Sequence, residues 1–145
     1  MKKIIFTILL SLFATSLSWS QVVSSNSDVT KKGNKVFLEF SDAASLEIQP
    51  YLIESLNKWG YWDIVTTKAE AQFVIAYVAE SYAGEFSVAN EFITRYGHIV
   101  IKTLDGQELQ RSKKMKGNPA AYNGYKGIKD LANKIVKKYL MVGFK

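Results

Sequence analysis

Few residues in this chain have the type and spacing to do chemistry. The one histidine, His98, lies in the run Tyr96-Gly97-His98-Ile99-Val100-Ile101-Lys102. A single histidine does not make a multi-histidine metal site, and no Gly-x-Ser-x-Gly segment marks a nucleophile for it to activate. Its alternation with Ile99 and Ile101 puts it on the polar face of a strand. Eight glutamates and five aspartates are available for a carboxylate pair of the kind that cleaves glycosidic bonds. Such a pair needs surroundings that drive its two pKa values apart. Glu80, Glu85 and Glu91 are close in sequence and form the candidate set for a hydrolase acting on an envelope polymer; the ordinary reading is solvated loop carboxylates. Gly117, Gly124 and Gly127 follow neither a dinucleotide nor a P-loop spacing, which leaves them turn and cap geometry. The sequence therefore reads as a non-enzyme with no catalytic, metal or cofactor residues.

The basic residues are distributed unevenly. Residues 21–101 hold six basic against ten acidic side chains, whereas residues 102–145 hold eleven basic against three acidic, a net charge of +8. Arg111, Lys113, Lys114, Lys116, Lys129, Lys134, Lys137 and Lys138 form a candidate anion-binding set. The plainer reading is a lysine-rich face that keeps the protein in solution. Trp59, Tyr61 and Trp62, and Tyr122 and Tyr125 near the basic segment, could stack on sugars or bases, although core packing is their ordinary use.

The first twenty residues bear on which anion that set would meet. Met1-Lys2-Lys3 is followed by an apolar run over residues 4–17 and by Ser18-Trp19-Ser20, the pattern of a signal peptide cleaved before Gln21. The run is shorter than the roughly 20 residues of a membrane-spanning helix, so the mature protein is not expected to span a membrane. Export argues against nucleic acid and for an envelope protein or an anionic envelope surface, either lipid head groups or lipopolysaccharide, in the periplasm or outside the cell. The chain has no cysteine, which excludes disulfides, thiolate chemistry and a lipid-bearing N-terminal cysteine. Stability then rests on hydrophobic burial, for which 48% hydrophobic and 13% aromatic residues suffice.

Residues 21–34 are polar and aperiodic and read as a flexible leader before a single domain at 35–145. Val36, Leu38 and Phe40 alternate as in a strand. Ser41-Asp42 can cap a helix carrying Ile48, Leu52, Leu56 and Trp59; Pro50 confines its regular part to about Gln49 onward, and Gly60 ends it. Residues 62–67 form a second strand, parallel to the first by a right-handed crossover. A short turn at 68–71 leads into the continuous apolar run 73–78, a central strand covered on both faces. Residues 81–95 have no decisive pattern. Strands around Ile99 and Ile101 and over 108–112 flank an Asp105-Gly106 hairpin, 113–123 is a loop, and a closing helix carries Ile128, Leu131, Ala132, Ile135, Val136, Tyr139 and Leu140 on one stripe, with Gly143 able to end it. The fold class is α+β, a two-layer sandwich in which two helices pack on one face of a mixed four- to five-stranded sheet.

A first strand, a helix ending Lys58-Trp59-Gly60, a strand over 62–67, and then Lys68-Ala69-Glu70-Ala71-Gln72-Phe73-Val74-Ile75 together resemble small α/β domains of bacterial envelope proteins. The type occurs in the N-terminal domain of the Tol translocation protein TolB, in the curli secretion lipoprotein CsgG and in lipoprotein activators of peptidoglycan synthases. Gln72 stands where those proteins usually have Asp. The resemblance spans residues 35–141, implies an envelope interaction domain without enzymatic activity, and transfers no functional residues. On this reading, the protein recovered from its native host is expected to begin at Gln21, which intact-mass spectrometry checks; a retained Met1 would remove the export assignment.

Overall fold

The computed structural model describes residues 26–80, 92–93, 95–118, 120–121 and 125–145. The candidate signal segment, Glu85, Glu91, Tyr122 and Gly124 lie outside the described residues, as does the side chain of Tyr125. The chain forms an α+β fold with an open mixed sheet. Helix α1 (Asn26–Val29) precedes β1 (Lys35–Phe40), α2 (Ala43–Leu46), α3 (Gln49–Trp59), β2 (Asp63–Val65), a 3-10 turn at Lys68–Glu70 and β3 (Phe73–Glu80). Then follow β4 (Phe92–Ile93), β5 (Tyr96–Lys102), β6 (Glu108–Arg111), β7 (Met115–Lys116), β8 (Ala120–Ala121) and α4 (Tyr125–Lys134). A π-helical stretch, Ile135–Leu140, carries α4 into the short α5 (Met141–Gly143).

The main sheet runs β2-β1-β3-β5-β6, with β7 also on β5; β4 and β8 pair separately. The β1 to β2 pairing is parallel, as a strand-helix-strand crossover requires, and β1 and β3 are parallel too. The strands from β3 onward are antiparallel, joined at β5 and β6 by a turn in which Gly106 takes a positive φ of 96°. At the junction of β1 and β3, the Gln72 side-chain carbonyl accepts from the Lys35 N–H at 2.7 Å while the Gln72 N–H donates to the Lys35 carbonyl at 2.8 Å, so Gln72 fixes this register.

Helix α3 begins at Gln49 because Pro50 fits a first turn, where a missing N–H costs nothing, and ends at Gly60 in the left-handed conformation, φ 62°. An Asp42–Ser45 capping box starts the preceding turn. Leu52 and Leu56 of α3 join Ile128, Leu131, Ala132 and Ile135 over Val36, Leu38, Phe73, Ile75, Ile99 and Ile101, one continuous core. Phe73, Ile75, Ile99, Leu131 and Ile135 are each at most 1% exposed. The Tyr77 ring packs where Gly97 has no side chain: a Cβ there would lie 2.6 Å from Tyr77 Cε2 and Cζ.

Three features differ from the sequence reading. Residues 26–34 lie within the expected leader, yet they dock on the domain: Trp62 Nε1 donates to the Thr30 carbonyl at 2.9 Å, and the Gly33 N–H donates to the Tyr61 carbonyl at 2.7 Å. The expected loop at 113–123 contains β7 and β8. Strand β5 is longer than β6, and Ser112 bridges the gap: its N–H donates to the Ile99 carbonyl and its Oγ accepts from the Ile99 N–H, which leaves Tyr96 and Gly97 to pair with β7. Finally, the expectation that β3 is covered on both faces holds at Phe73, Val74 and Ile75, which are buried, whereas Ala76 and Val78 on the second face are half-buried and among the described residues no helix lies over them. Ile75→Ala and Leu131→Ala are each expected to cost about 2 to 5 kcal/mol, and Gly117→Ala to destabilise as well because its Cβ would fall on the Gly127 carbonyl oxygen of α4. Chemical denaturation measures all three; wild-type midpoints would contradict the packing described.

Candidate functional site

Among the described residues, the long helices pack on the face of the sheet that carries Val36, Phe73, Ile75 and Ile99. By strand alternation the other face presents Phe37 and Glu39 from β1, Val74, Ala76, Val78 and Glu80 from β3, Tyr96, His98, Val100 and Lys102 from β5, and Arg111 from β6. Its centre is apolar: Val74 is fully buried and Val100 is 8% exposed, while Phe37, Ala76 and Val78 are half-buried. Lys102 donates to Glu39 Oε1 at 2.8 Å. These residues are on β5 and β1, the two neighbours of β3, so the contact has to cross the central strand and its long side chains shield Val74.

A second charged chain runs along the same face. Glu80 Oε1 is 2.6 Å from His98 Nδ1, and Glu80 Oε2 is 2.8 Å from Lys114 Nζ. Arg111 Nη1 lies 3.0 Å from His98 Nε2, and its Nε and Nη2 bind Glu108 at 3.0 and 2.5 Å. A guanidinium only donates, so His98 Nε2 accepts here and the proton resides on Nδ1, which donates to Glu80. Lys114 also stands 5.0 Å from the centre of the Tyr96 ring, a cation–π distance. The hydrogen bonds from Lys114 and then His98 hold the Glu80 carboxyl below its ordinary range, and the hydrogen bond from Arg111 does the same for Glu108.

Between these charges lies a shallow depression of about 310 Å³ lined by Glu39, Ser41, Lys102, Glu108 and Arg111. On this face Glu39, Glu80 and Glu108 pair with Lys102, Lys114 and Arg111, which cancels most of its charge. Among the described residues no group of three or more His, Cys, Asp or Glu is placed to hold a metal. Glu80 is described, and its lowered pKa keeps it ionised, the wrong state for a general acid.

The eight candidate anion-binding residues differ in what they contact. Arg111 and Lys114 belong to the sheet-face network. Lys129 lies 3.5 Å from Glu54 on α3. Lys134 acts as a latch: its Nζ reaches Asp130 at 2.6 Å, and the Lys116 carbonyl and Asn118 Oδ1 at 3.1 Å each. Asp130 accepts from the Asn118 N–H at 2.8 Å. Burial pushes the Asp130 carboxyl up, but the Lys134 and Asn118 hydrogen bonds and the charges of Lys134 and Lys138 outweigh it and leave it lowered. Lys113, Lys116, Lys137 and Lys138 are exposed and show no ion pair among the described residues.

The tryptophan-rich segment is structural. Trp59 stacks on Tyr61 at 4.8 Å, and Trp62 meets Trp59, Tyr61, Phe73 and Phe144 edge-on at 5.3 Å or less. Their periodicity could have predicted core packing; the inter-strand network of Glu80, His98 and Arg111 had no such local signal.

No protein-family model matches the sequence, and no curated protein matches it significantly. Among solved structures, the chain is similar to a minor lipoprotein from Acinetobacter baumannii, with TM-score 0.55 and 14% identity over 76% of this chain and 94% of that one. It is also matched to uncharacterized lipoprotein B from Nitrosomonas europaea, with TM-score 0.45 and 15% identity over 77% of this chain and 83% of that one. The first likeness establishes the fold as one that a lipoprotein also uses; it does not single out the families resembled by the sequence.

Folding lowers the pKa of Glu80, Glu108 and Asp130, so these groups stabilise the protein above the ordinary carboxylate range and lose that contribution as pH falls through their folded values. The melting temperature is therefore expected to drop between about pH 6 and pH 3, and the drop to shrink in the Glu80→Gln/Asp130→Asn double variant. Thermal denaturation across that range measures both; a flat wild-type profile would contradict the assignment.

Proposed function

We propose that the protein is an exported, non-enzymatic binding domain of the bacterial cell envelope that engages a protein partner through the uncovered face of its sheet. The observation that carries this reading is that face: half-buried Phe37, Ala76 and Val78 lie between charges already paired with one another. An apolar strip inside a neutralised polar rim is the anatomy of a protein interface, and it gives an anionic surface nothing to attract. The signal-like first twenty residues support export, and the fold shared with a lipoprotein from Acinetobacter baumannii fits an envelope setting, as does the resemblance to TolB, CsgG and synthase-activator domains. The reading places the protein in the periplasm or outside the cell.

The experiment places a photo-crosslinking amino acid at Val78 or, as a control on an exposed turn, at Lys68, and irradiates cells of the native host. A discrete adduct of higher mass from Val78, absent from Lys68 and found in the envelope fraction, is the expected result. Equal labelling at both positions, or none at Val78, would overturn the sheet face as the binding surface.

A further inference from the structure

The closing helix ends at Gly143 as its sequence allows, but its last turns are not regular α-helix. Its apolar stripe through Ile128, Leu131, Ala132, Ile135, Val136 and Leu140 would, in an unbroken α-helix, bring Val142 back toward the core side. Residues Ile135–Leu140 are π-helical instead, and the Met141 N–H donates to the carbonyl of Val136, five residues earlier. The extra residue in that turn sets everything after it back by roughly 100° around the axis. Leu140 stays in the core at 0% exposure, whereas Met141 is 42% and Val142 63% exposed. The same rotation brings Val142 onto the ridge that runs through Asp130, Lys134 and Lys138 on the solvent side.

The basic residues near this tip outnumber the acidic ones. The three carboxylates of residues 102–145 are all occupied: Asp105 by Thr103, Glu108 by Arg111 and Asp130 by Lys134 and the Asn118 N–H. Lys137 and Lys138 are exposed and form no ion pair with these carboxylates among the described residues, although the Lys138 charge is felt at Asp130. Lysines near a helix C-terminus also complement its carbonyl end. That role explains the lysines but not two protruding apolar side chains beside them.

We propose that this tip, Lys137 and Lys138 beside Met141 and Val142, is a contact surface for an anionic phospholipid bilayer. The patch sets two exposed lysines beside two exposed apolar side chains. It therefore fits a surface that is anionic throughout and accepts apolar side chains below its head groups, with no matching pocket required. Two lysines and two apolar side chains make such an attachment weak, reversible and sensitive to salt. The surface is separate from the sheet face, and its test does not depend on that reading.

The test is sedimentation of the purified protein with vesicles of phosphatidylcholine alone or with about 30% phosphatidylglycerol, at about 50 and about 200 mM salt. Binding to the anionic vesicles at low salt and several-fold weaker binding at high salt are expected. Lys137→Glu/Lys138→Glu should lower the partition coefficient roughly tenfold or more, and Met141→Ser/Val142→Ser several-fold, with the circular dichroism spectrum unchanged because all four side chains are exposed. Equal partition onto neutral vesicles, or wild-type partition by either double variant, overturns the proposal. Loss of binding only in Lys113→Glu/Lys116→Glu would likewise overturn it, by moving the contact off the helix tip.

Discussion

The structure depends on the burial of one face of β3. This strand pairs in parallel with β1 and antiparallel with β5, so it joins the crossover half of the fold to the hairpin half. Its inward residues Phe73, Ile75 and Tyr77 belong to the same core cluster as buried residues of both long helices, and each truncation there opens a cavity in that core. Tyr77 shows how tightly this is set. Its hydroxyl donates to the Tyr96 carbonyl at 3.3 Å, burial pushes its phenol up to about 12, and the ring occupies the space that any side chain at position 97 would fill.

Placing both helices on that face creates the question that the other face answers. Val74 and Val100 are too apolar to leave in water, and no described helix covers them. Long charged side chains do so instead, Lys102 by reaching over β3 to Glu39, while Glu80, His98, Arg111 and Glu108 interlock next to them. Surface pairs of this kind contribute little stability individually. Their effect here is to pair the charges of the face while Phe37, Ala76 and Val78 stay half-buried among the described residues.

The basic third of the chain is divided in the same way between structure and surface. Gly117 allows the segment after β7 to lie against Gly127, and Asp130, Asn118 and Lys134 lock that approach. These residues hold the helix to the sheet edge. The π-helical turn then redirects the end of the helix, so that positive charge not used internally collects around Met141 and Val142.

Much of this was legible in the residues. The α+β class, the start of α3 at Gln49 and its end at Gly60, the Asp105-Gly106 turn and the core set through Ile75 and Leu131 follow from period, caps and turn chemistry, which act over a few residues. Other features depended on residues far apart in sequence. Glu80 lies 18 positions from His98, and Lys102 lies 63 from Glu39, so their pairing exists only once β1, β3 and β5 are aligned. Lysine character alone did not separate Lys134, a latch, from Lys138 on the same ridge, because the distinction is the nearby Asn118 and Lys116 carbonyl. The exposure of Val142 was hidden for a related reason: its place on the helix depends on whether the preceding turn closes over four residues or five. Side-chain pattern determined that a helix forms there, and packing of Leu140 into the core decided the turn.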